Sequence, residues 1–249
     1  MVGLQDLSTF FPLKIHWPVP LEIRGDEKIP LRADGTRAID ADRKIGETWA
    51  EMEKVQANGK AKAIGLSNFS RAFVEELLKT AKVTPAANQI ELHPYLPQHD
   101  LVNFCNEKGI ICEAYSPLGS TNSPMLKDDV LTGIAKAKGV DVGQLIISWQ
   151  AQRGVAVLPK SVTPSRIISN GKLIELSDDE MKTINELHRQ EGKHQRLIKP
   201  AVRIDGKKLG IICCCSHTLS FFSFCSGEST SNLIFGPLPE QVLLNRHAI

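Results

Sequence analysis

The stretch Ala87-Asn-Gln-Ile-Glu-Leu-His-Pro94 carries the strongest indication of the fold. Successive side chains of a β-strand point to opposite faces, so a strand here presents two different surfaces. One face carries Asn88, Ile90 and Leu92, and the other carries Gln89, Glu91 and His93. Both faces of an ordinary parallel strand are apolar. The polar face therefore indicates either a wet or ligand-lined barrel interior or a buried network in which every group is hydrogen-bonded.

Four similar runs of β-branched or apolar residues accompany this one along the chain. With Ala86–Leu92 they predict five strands, the others being Leu13–His16, Ala61–Ser67, Gly109–Ser116 and Val155–Ser161. Helical patterns lie between or after the strands: Arg43–Asn58, a helix capped by Ser70, a stripe over Val142–Trp149, and a capping box at Ser177–Glu180. Strands that alternate with helices predict an α/β fold with a parallel sheet and crossover helices.

Composition sets broad limits on function. The chain has 249 residues, is 42% hydrophobic, and carries 30 basic against 28 acidic side chains, a formal net charge of +2. This is an ordinary globular composition, long enough for one (β/α)₈ barrel or two small domains. The near-neutral charge gives no reason to expect a nucleic-acid partner. Without an apolar run of 18 residues or a signal-like N-terminus, we expect no membrane partner and a cytoplasmic location.

Two regions depart from the alternating pattern. Glu22–Ala41 is a polar loop without periodicity, and long loops after strands are often functional in α/β enzymes. Residues 200–249 form an atypical tail that holds Cys213, Cys214, Cys215 and Cys225. Three consecutive cysteines do not have metal-ligand spacing, so no metal site is expected. The conflicting local signals favour a translated non-coding stretch over a lineage-specific extension that packs on the body.

Several predicted strands end in residues that could bind a ligand or take part in a reaction. His16 ends the first predicted strand, where it is equally well explained as an active-site or as a structural histidine. Ser67 and Asn68 end the second and could bind a ligand amide, although capping of the next helix is the better interpretation from this stretch alone. Tyr115 ends the fourth and suits either stacking on a planar ring or the core.

The segment after the fifth strand favours an anion. In Val157-Leu-Pro-Lys-Ser-Val-Thr-Pro-Ser-Arg-Ile167, Thr163 is a plausible N-cap and Pro164 fits the first helical position. Free N–H groups at the helix start, together with Lys160 and Arg166, suit a phosphate. The sequence has no Gly-x-Gly-x-x-Gly fingerprint and no Walker A motif, which argues against a Rossmann dehydrogenase or a P-loop protein.

Taken together, these stretches resemble the aldo-keto reductase family over about residues 14–198. The resemblance rests on five motifs in the family's order: Ile-His-Trp-Pro, Ile-Gly-Leu-Ser-Asn-Phe, Asn-Gln-Ile-Glu-Leu-His-Pro, Ala-Tyr-Ser-Pro-Leu-Gly-Ser and Leu-Pro-Lys-Ser-Val-Thr-Pro-Ser-Arg. Within the family the chain is most similar to fungal NADP-dependent glycerol dehydrogenases and aldehyde or ketone reductases. The resemblance implies a (β/α)₈ TIM barrel, NADP(H) as cofactor, and hydride transfer between the cofactor and a small carbonyl or alcohol substrate.

The resemblance also implies roles for particular residues. His16 matches the active-site histidine that orients and polarises the carbonyl. The nicotinamide carboxamide is held at positions matched by Ser67, Asn68 and Gln89, and Tyr115 matches the tyrosine stacked on the nicotinamide ring. The remaining matches are Ser116, Leu118 and Ser120 for the pyrophosphate side, Lys160, Ser161 and Arg166 for the 2′-phosphate, and Asn170 for the adenine.

The chain also departs from the family pattern. The family places a catalytic Asp, Tyr and Lys in segments before the histidine strand, and this sequence begins almost at that strand. We therefore expect an incomplete barrel of about five βα units over residues 1–199, with the 200–249 tail outside it. Two functions remain open: a carbonyl reductase, such as one that tailors a fungal secondary metabolite, and a catalytically impaired remnant that binds NADP(H) or another chain.

Overall fold

The computed structural model of the protein describes residues 12–27, 29–40, 42–119 and 123–198, together with short strands at 203–204 and 207–208. Ser120 and the four tail cysteines lie outside the described residues. The two tail strands, Arg203–Ile204 (β6) and Lys207–Lys208 (β7), pair antiparallel. The boundary between barrel domain and tail near residue 199 stays a prediction.

All five predicted strands are present. They are β1 (Leu13–Ile15), β2 (Ile64–Ser67), β3 (Ala87–Glu91), β4 (Ile111–Tyr115) and β5 (Ala156–Val157). They form one sheet in chain order, β1-β2-β3-β4-β5. The pairs β1–β2, β2–β3 and β4–β5 are parallel, as strand–helix alternation predicts.

Seven α-helices lie in the part of the chain that the structure describes. They are α1 (Ile45–Ala57), α2 (Arg71–Leu78), α3 (His99–Glu107), α4 (Asp129–Lys138), α5 (Val142–Gln152), α6 (Pro164–Asn170) and α7 (Asp178–Glu186). Single turns of 3₁₀ helix cover Pro124–Lys127 and Leu187–Arg189.

The cap signals in the sequence locate several of these helices. Ser177 and Glu180 form the predicted capping box, with Glu180 N–H donating to Ser177 Oγ at 3.3 Å and Ser177 N–H donating to Glu180 Oε2 at 2.7 Å. Ser70 is the N-cap residue of α2, but its side chain makes no cap hydrogen bond. Thr163 likewise precedes α6 without a side-chain cap bond. The helical patterns of the sequence do not include α4, which Asp128 caps by accepting from the Val130 and Leu131 amides.

Contacts divide the chain into two compact units. Within the described residues, the first unit comprises 12–27, 29–40, 42–89 and 103–110, together with β6 and β7. Its core includes Trp49 of α1 and Leu66 of β2, both at most 1% exposed. The Trp49 Nε1–H donates to Val83 O at 3.0 Å, and Glu53 Oε1 accepts from the Lys82 and Val83 amides at 2.7 and 2.9 Å. These bonds fix α1 against the segment that leads into β3.

The loop after β1 is more ordered than the sequence suggests. Glu22–Ala41 was expected to lack regular structure, yet isolated antiparallel bridges join Leu21 to Ile39 and Leu31 to Arg37. Arg24 strengthens the arrangement by donating to Glu22 Oε2 at 2.7 Å and to Leu31 O at 3.0 Å. The sequence does not predict this pairing, because two isolated bridges among turn residues produce no extended alternation of apolar and polar side chains.

The second unit comprises, among the described residues, 90–102 and 111–198. A cluster of buried apolar side chains from α4, α5 and α7 forms its core, with Trp149 fully buried. The Trp149 Nε1–H donates to Asn185 Oδ1 at 3.0 Å. Arg153 lies with Cζ 4.4 Å from the Trp149 ring centroid and donates to Pro97 O at 2.7 Å, so the end of α5 is tied to the segment after β3.

Asn88 of β3 holds the turn that follows β2. Its side chain is 0% exposed, and its Nδ2 donates to Phe69 O at 2.9 Å while its Oδ1 accepts from Phe69 N–H at 3.4 Å. Phe69 is itself fully buried, so water cannot reach its backbone N–H and carbonyl groups, and the Asn88 side-chain amide bonds them instead. The turn placed in this way contains Asn68.

We expect Asn88→Ala to lower the free energy of unfolding by about 1–3 kcal/mol, because it removes both hydrogen bonds from a buried backbone. Urea unfolding measures the effect. The matched control is Asn106→Ala, an exposed position near the end of α3, where a change within about 0.5 kcal/mol is expected. Equal effects of the two substitutions would contradict the role given to Asn88.

Candidate functional site

Four of the predicted site residues are joined in the first unit. The Asn68 side-chain amide donates from Nδ2 to the backbone carbonyl of His16 at 2.9 Å and lies 3.1 Å from Ser67 Oγ. Ser67 Oγ donates to the backbone carbonyl of Gln89 at 2.9 Å, and the Asn68 N–H reaches the same carbonyl at 2.9 Å. The carboxyl ends of β1 and β2 and the middle of β3 are therefore linked through one serine and one asparagine.

Asn68 adopts an unusual backbone conformation. Its φ of +63° is in the left-handed region, where asparagine is better tolerated than most residues. The residue is only 2% exposed, so its surroundings must hold this conformation. The N-cap of α2 is Ser70, two residues later. The interpretation of Ser67 and Asn68 as helix caps is therefore wrong, and their polar groups instead shape the end of β2.

His16 directly follows β1 and is exposed to solvent. Its ring meets the Trp17 ring edge-on, with centroids 5.9 Å apart. Partial desolvation of the ring lowers the pKa of His16 below its ordinary value. The imidazole is therefore neutral at pH 7, and a neutral imidazole can donate a hydrogen bond to a carbonyl oxygen.

In the second unit, Tyr115 is the last residue of β4 and is half-buried. Burial raises the pKa of its phenol, and the nearby Glu91 carboxylate raises the pKa further, whereas the charge of Arg196 and its hydrogen bond to the phenol act in the opposite direction. Ser116 follows with φ +47°, and its carbonyl accepts from Gly119 N–H at 2.8 Å. A tight turn thus begins directly after Tyr115, the last residue of β4.

Two other predicted residues of this unit flank one stretch of backbone. A Cβ added to Gly143 would lie 3.4 Å from Leu118 Cδ1 and 3.6 Å from Asn170 Oδ1. Asn170 is 6% exposed at the end of α6, and Leu118 packs against the core cluster of the unit. The structure therefore brings Leu118 and Asn170 close to the first turn of α5.

The predicted basic residues lie on the surface near α6. Lys160 and Arg166 are exposed, the first in the segment after β5 and the second within α6. Ser161 Oγ accepts from Thr163 N–H at 3.2 Å, which bends the segment into the helix. Two cations and a hydroxyl are thus available to an anion from solution.

The polar face of β3 ends in a buried network rather than a wet surface. Glu91 and the following His93 are both 0% exposed, with His93 Nε2 3.0 Å from Glu91 Oε1. Glu91 also accepts from the Leu197 amide at 2.7 Å. Of the two alternatives left by the sequence, a buried network therefore applies to Glu91 and to Nε2 of His93, but it is not fully satisfied, because His93 Nδ1 is buried without a hydrogen-bond partner among the described residues. The sequence could not identify Leu197 because it lies more than a hundred residues along the chain.

The Tyr95 hydroxyl is bonded to a carboxylate of the second unit. It is 4% exposed, and its hydroxyl donates to Asp128 Oδ2 at 2.6 Å. Lys193 Nζ lies 2.5 Å from the same carboxylate oxygen. Burial and the Asp128 carboxylate raise the pKa of the Tyr95 phenol. A buried phenol with a raised pKa, already bonded to a carboxylate, is a poor proton donor.

Neither a metal cluster nor a spanning helix occurs in the part of the chain that the structure describes. Among these residues, no three His, Cys, Asp or Glu side chains are grouped so that they could hold a metal ion. The described helices include none with both the length and the apolar character needed to cross a bilayer.

The parallel α/β sheet, with polar residues following its strands, defines a TIM-barrel type of architecture. The family model "Aldo/keto reductase family" matches residues 12–189. The chain belongs to this family.

Relatives and solved structures agree with this assignment. Glycerol 2-dehydrogenase (NADP(+)) of Saccharomyces cerevisiae is 45% identical over 194 residues, which are 75% of this chain and 62% of that protein. D-galacturonate reductase of Hypocrea jecorina is 44% identical over 197 residues, 78% of this chain and 64% of that protein. Aldose reductase from Giardia lamblia superimposes with a TM-score of 0.68 at 35% identity, covering 76% of this chain and 64% of that one.

The chain therefore spans less than two thirds of the length of these relatives. Coverage of this extent, together with a sheet of five strands, agrees with the expectation of an incomplete barrel with about five βα units.

We expect Tyr95→Phe to cost about 1.5–3 kcal/mol of unfolding free energy near pH 7, because it removes a hydrogen bond to a buried carboxylate. Burial opposes ionisation of Asp128, but hydrogen bonds from Lys193 and Tyr95 more than offset this and hold its pKa below the ordinary value. That stabilisation is complete above the unfolded pKa of about 3.9 and is lost as the pH falls through the folded pKa.

Urea unfolding from pH 7 down to pH 3 tests this expectation. The stability difference between the wild type and Tyr95→Phe should be constant above about pH 4 and should shrink as the pH falls through the lowered folded pKa of Asp128, where the folded protein takes up the proton. A difference that stays constant over this range would contradict the ionic character of the bond.

Proposed function

We propose that this chain binds NADP(H) and carries the cofactor-binding part of an enzyme that reduces an aldehyde or ketone to an alcohol, or catalyses the reverse reaction. The observation that carries the proposal is the arrangement at the ends of β1 and β2 and the middle of β3, where Asn68 and Ser67 join the backbones of His16 and Gln89. The names of the relatives, which include an NADP(+)-dependent dehydrogenase and a sugar-acid reductase, support it.

The donor set of the first unit suits a carboxamide. A carboxamide has one acceptor oxygen and a donor nitrogen, and hydroxyl and amide side chains complement both. Ser67, Asn68 and Gln89 supply such groups, and their mutual hydrogen bonds fix the geometry before a ligand arrives. We assign these three residues to the nicotinamide carboxamide. The bound cofactor supplies the hydride.

The second unit supplies groups suited to the rest of the cofactor. Tyr115 offers a half-buried aromatic ring for stacking, and the turn that begins at Ser116 and includes Leu118 suits the pyrophosphate side. Ser120, outside the described residues, belongs to the same assignment. The 2′-phosphate is assigned to Lys160, Ser161 and Arg166, and the adenine to Asn170.

His16 is assigned to the substrate carbonyl. As a neutral imidazole it can donate a hydrogen bond that polarises and orients the carbonyl oxygen. Reduction also needs a proton for that oxygen, and a positioned acid contributes about 10²–10⁴-fold to such a step. His16 is therefore proposed to orient the substrate rather than to act as the proton source.

One observation favours a second function, an impaired remnant that binds NADP(H) or another chain. The sequence contains two tyrosines, Tyr95 and Tyr115. Burial raises the pKa of both phenols, and the Tyr95 hydroxyl is already bonded to Asp128. Neither is suited to protonate a substrate. Two finer predictions belong to the enzyme proposal. One is a tailoring step in fungal secondary metabolism, which depends on the substrate, and the other is a cytoplasmic location.

We expect Lys160→Ala to weaken NADPH binding by about 1.5–3 kcal/mol, the value of a charge-assisted hydrogen bond, and to leave NADH binding nearly unchanged. Only NADPH carries the 2′-phosphate. Titration calorimetry with both dinucleotides measures the difference. Lys182→Ala, an exposed position on α7, is the matched control and should affect neither. Equal losses for NADPH and NADH would contradict the assignment of Lys160.

We expect the 249-residue chain to reduce DL-glyceraldehyde at least about 10²-fold more slowly than a median enzyme, which turns over at about 10 s⁻¹. The physical reason is that neither tyrosine, Tyr95 or Tyr115, offers a phenol suited to donate the proton. NADPH absorbance follows the reaction, and His16→Ala run in parallel shows whether residual turnover uses this site. Turnover near 10 s⁻¹ would refute the impaired-remnant alternative and support the enzyme proposal for this chain.

A further inference from the structure

The left-handed backbone of Asn68 is bonded to β3 on both of its sides. The peptide before Asn68 donates the Asn68 N–H to the Gln89 carbonyl at 2.9 Å. The peptide after it donates the Phe69 N–H to Asn88 Oδ1 at 3.4 Å. The next peptide accepts at the Phe69 carbonyl from Asn88 Nδ2 at 2.9 Å. Three successive peptides of the turn after β2 are thus bonded to two neighbouring residues of β3.

These bonds act on the rotations that define the conformation of Asn68. A peptide plane turns about the line that joins its two Cα atoms, and its N–H and C=O groups point across that line. A hydrogen bond at either group therefore opposes the rotation. The angles φ and ψ of Asn68 relate this residue to its two flanking planes, so holding both planes holds φ at +63°. Without these bonds a residue with a Cβ favours the right-handed or extended regions.

Asn88 is suited to hold the turn because its own amide has one orientation. The side chain is 0% exposed, and besides its bond to the Phe69 carbonyl, Nδ2 lies 3.9 Å from Cys105 Sγ of α3. If the amide were reversed, its oxygen would face the Phe69 carbonyl and its nitrogen would face the Phe69 N–H. The Asn88 side chain therefore cannot turn over without losing both of its bonds to Phe69.

The backbone conformation of Asn68 in turn directs its side chain. Asn68 Nδ2 donates to the His16 carbonyl at 2.9 Å and lies 3.1 Å from Ser67 Oγ. A change in φ swings the Cα–Cβ bond relative to the preceding chain, so the amide would leave both of these partners. The side chain assigned to the nicotinamide carboxamide thus depends on a backbone conformation that Asn88 helps to hold.

We propose that Asn88 is a positioning residue for the nicotinamide end of the cofactor: by bonding the N–H and the carbonyl of Phe69, it keeps Asn68 in the conformation that aims its amide at the carboxamide. The inference rests on the proposed function for the identity of the ligand. It adds to that function a buried side chain that is bonded to the turn and is not itself assigned to the cofactor.

A purely structural role and a positioning role of Asn88 lead to different results. A structural role predicts that its loss lowers stability and leaves the affinity of the folded protein unchanged for every ligand. A positioning role predicts a loss of affinity only for ligands that carry the nicotinamide. NADPH and NADH both carry it, whereas 2′-phospho-ADP-ribose has the adenine, the 2′-phosphate and the pyrophosphate but no nicotinamide.

The experiment uses the full chain and measures its affinity for these three ligands by titration calorimetry. NMR of the ¹⁵N,¹³C-labelled protein gives the backbone chemical shifts of Asn68, which report its φ and ψ. The test variants are Asn88→Ala, which removes both bonds to Phe69, and Asn88→Ser, which keeps a smaller polar group. The matched control is Trp49→Phe, which removes another buried hydrogen bond of the first unit, the one to the Val83 carbonyl at 3.0 Å.

We expect Asn88→Ala to weaken the binding of NADPH and of NADH by the same factor, about tenfold, the scale of one lost hydrogen bond. Binding of 2′-phospho-ADP-ribose should stay unchanged, and the Asn68 shifts of the free protein should leave their left-handed values. Lys160→Ala should give the reverse pattern, with losses for NADPH and 2′-phospho-ADP-ribose but not for NADH. Trp49→Phe should lower stability and alter neither the three affinities nor the Asn68 shifts.

Unchanged NADPH affinity in the folded Asn88 variants would overturn the proposal, and so would an equal loss for 2′-phospho-ADP-ribose. Should Asn88→Ala fail to fold, Asn88→Ser decides the question by the same measurements. If the wild type binds neither NADPH nor NADH, the proposed function fails. The Asn68 shifts of the free variants then still decide whether Asn88 holds the turn.

Discussion

The polar side chains that β3 buries have to be satisfied by other parts of the chain, and this requirement organises both units. A buried amide or carboxylate without a partner costs about 1–3 kcal/mol or more. Asn88 meets the requirement by bonding the Phe69 backbone, which holds the turn after β2. Glu91 meets it by accepting a hydrogen bond from the Leu197 amide.

This arrangement separates the proposed cofactor binding from proton delivery. The groups proposed to bind the cofactor are held by internal hydrogen bonds, such as that from Ser67 to the Gln89 carbonyl. The Tyr95 phenol is bonded to Asp128, and burial raises the pKa of both phenols of the chain. Binding of a dinucleotide is therefore supported by the residues described, whereas protonation of a product alkoxide is not.

The sequence predicts the strands and the capped helices well, because these depend on local chemistry. Alternation located β3, and the Ser177–Glu180 spacing located α7. Long-range partners could not be predicted in this way. Nothing near Glu91 indicates that Leu197 would satisfy it, and nothing near Tyr95 indicates Asp128. The same limit explains why the local sequence favours caps at Ser67 and Asn68: their partners are His16, which follows β1, and Gln89 of β3.

The most direct test is a crystal structure of the chain with NADP⁺. The account predicts the nicotinamide ring against Tyr115, its carboxamide within hydrogen-bond distance of Ser67, Asn68 or Gln89, and the 2′-phosphate at Lys160 and Arg166. It also predicts that Glu91 keeps its hydrogen bond from the Leu197 amide in the complex. A dinucleotide bound at other residues, or one whose nicotinamide contacts neither Tyr115 nor Asn68, would contradict the account.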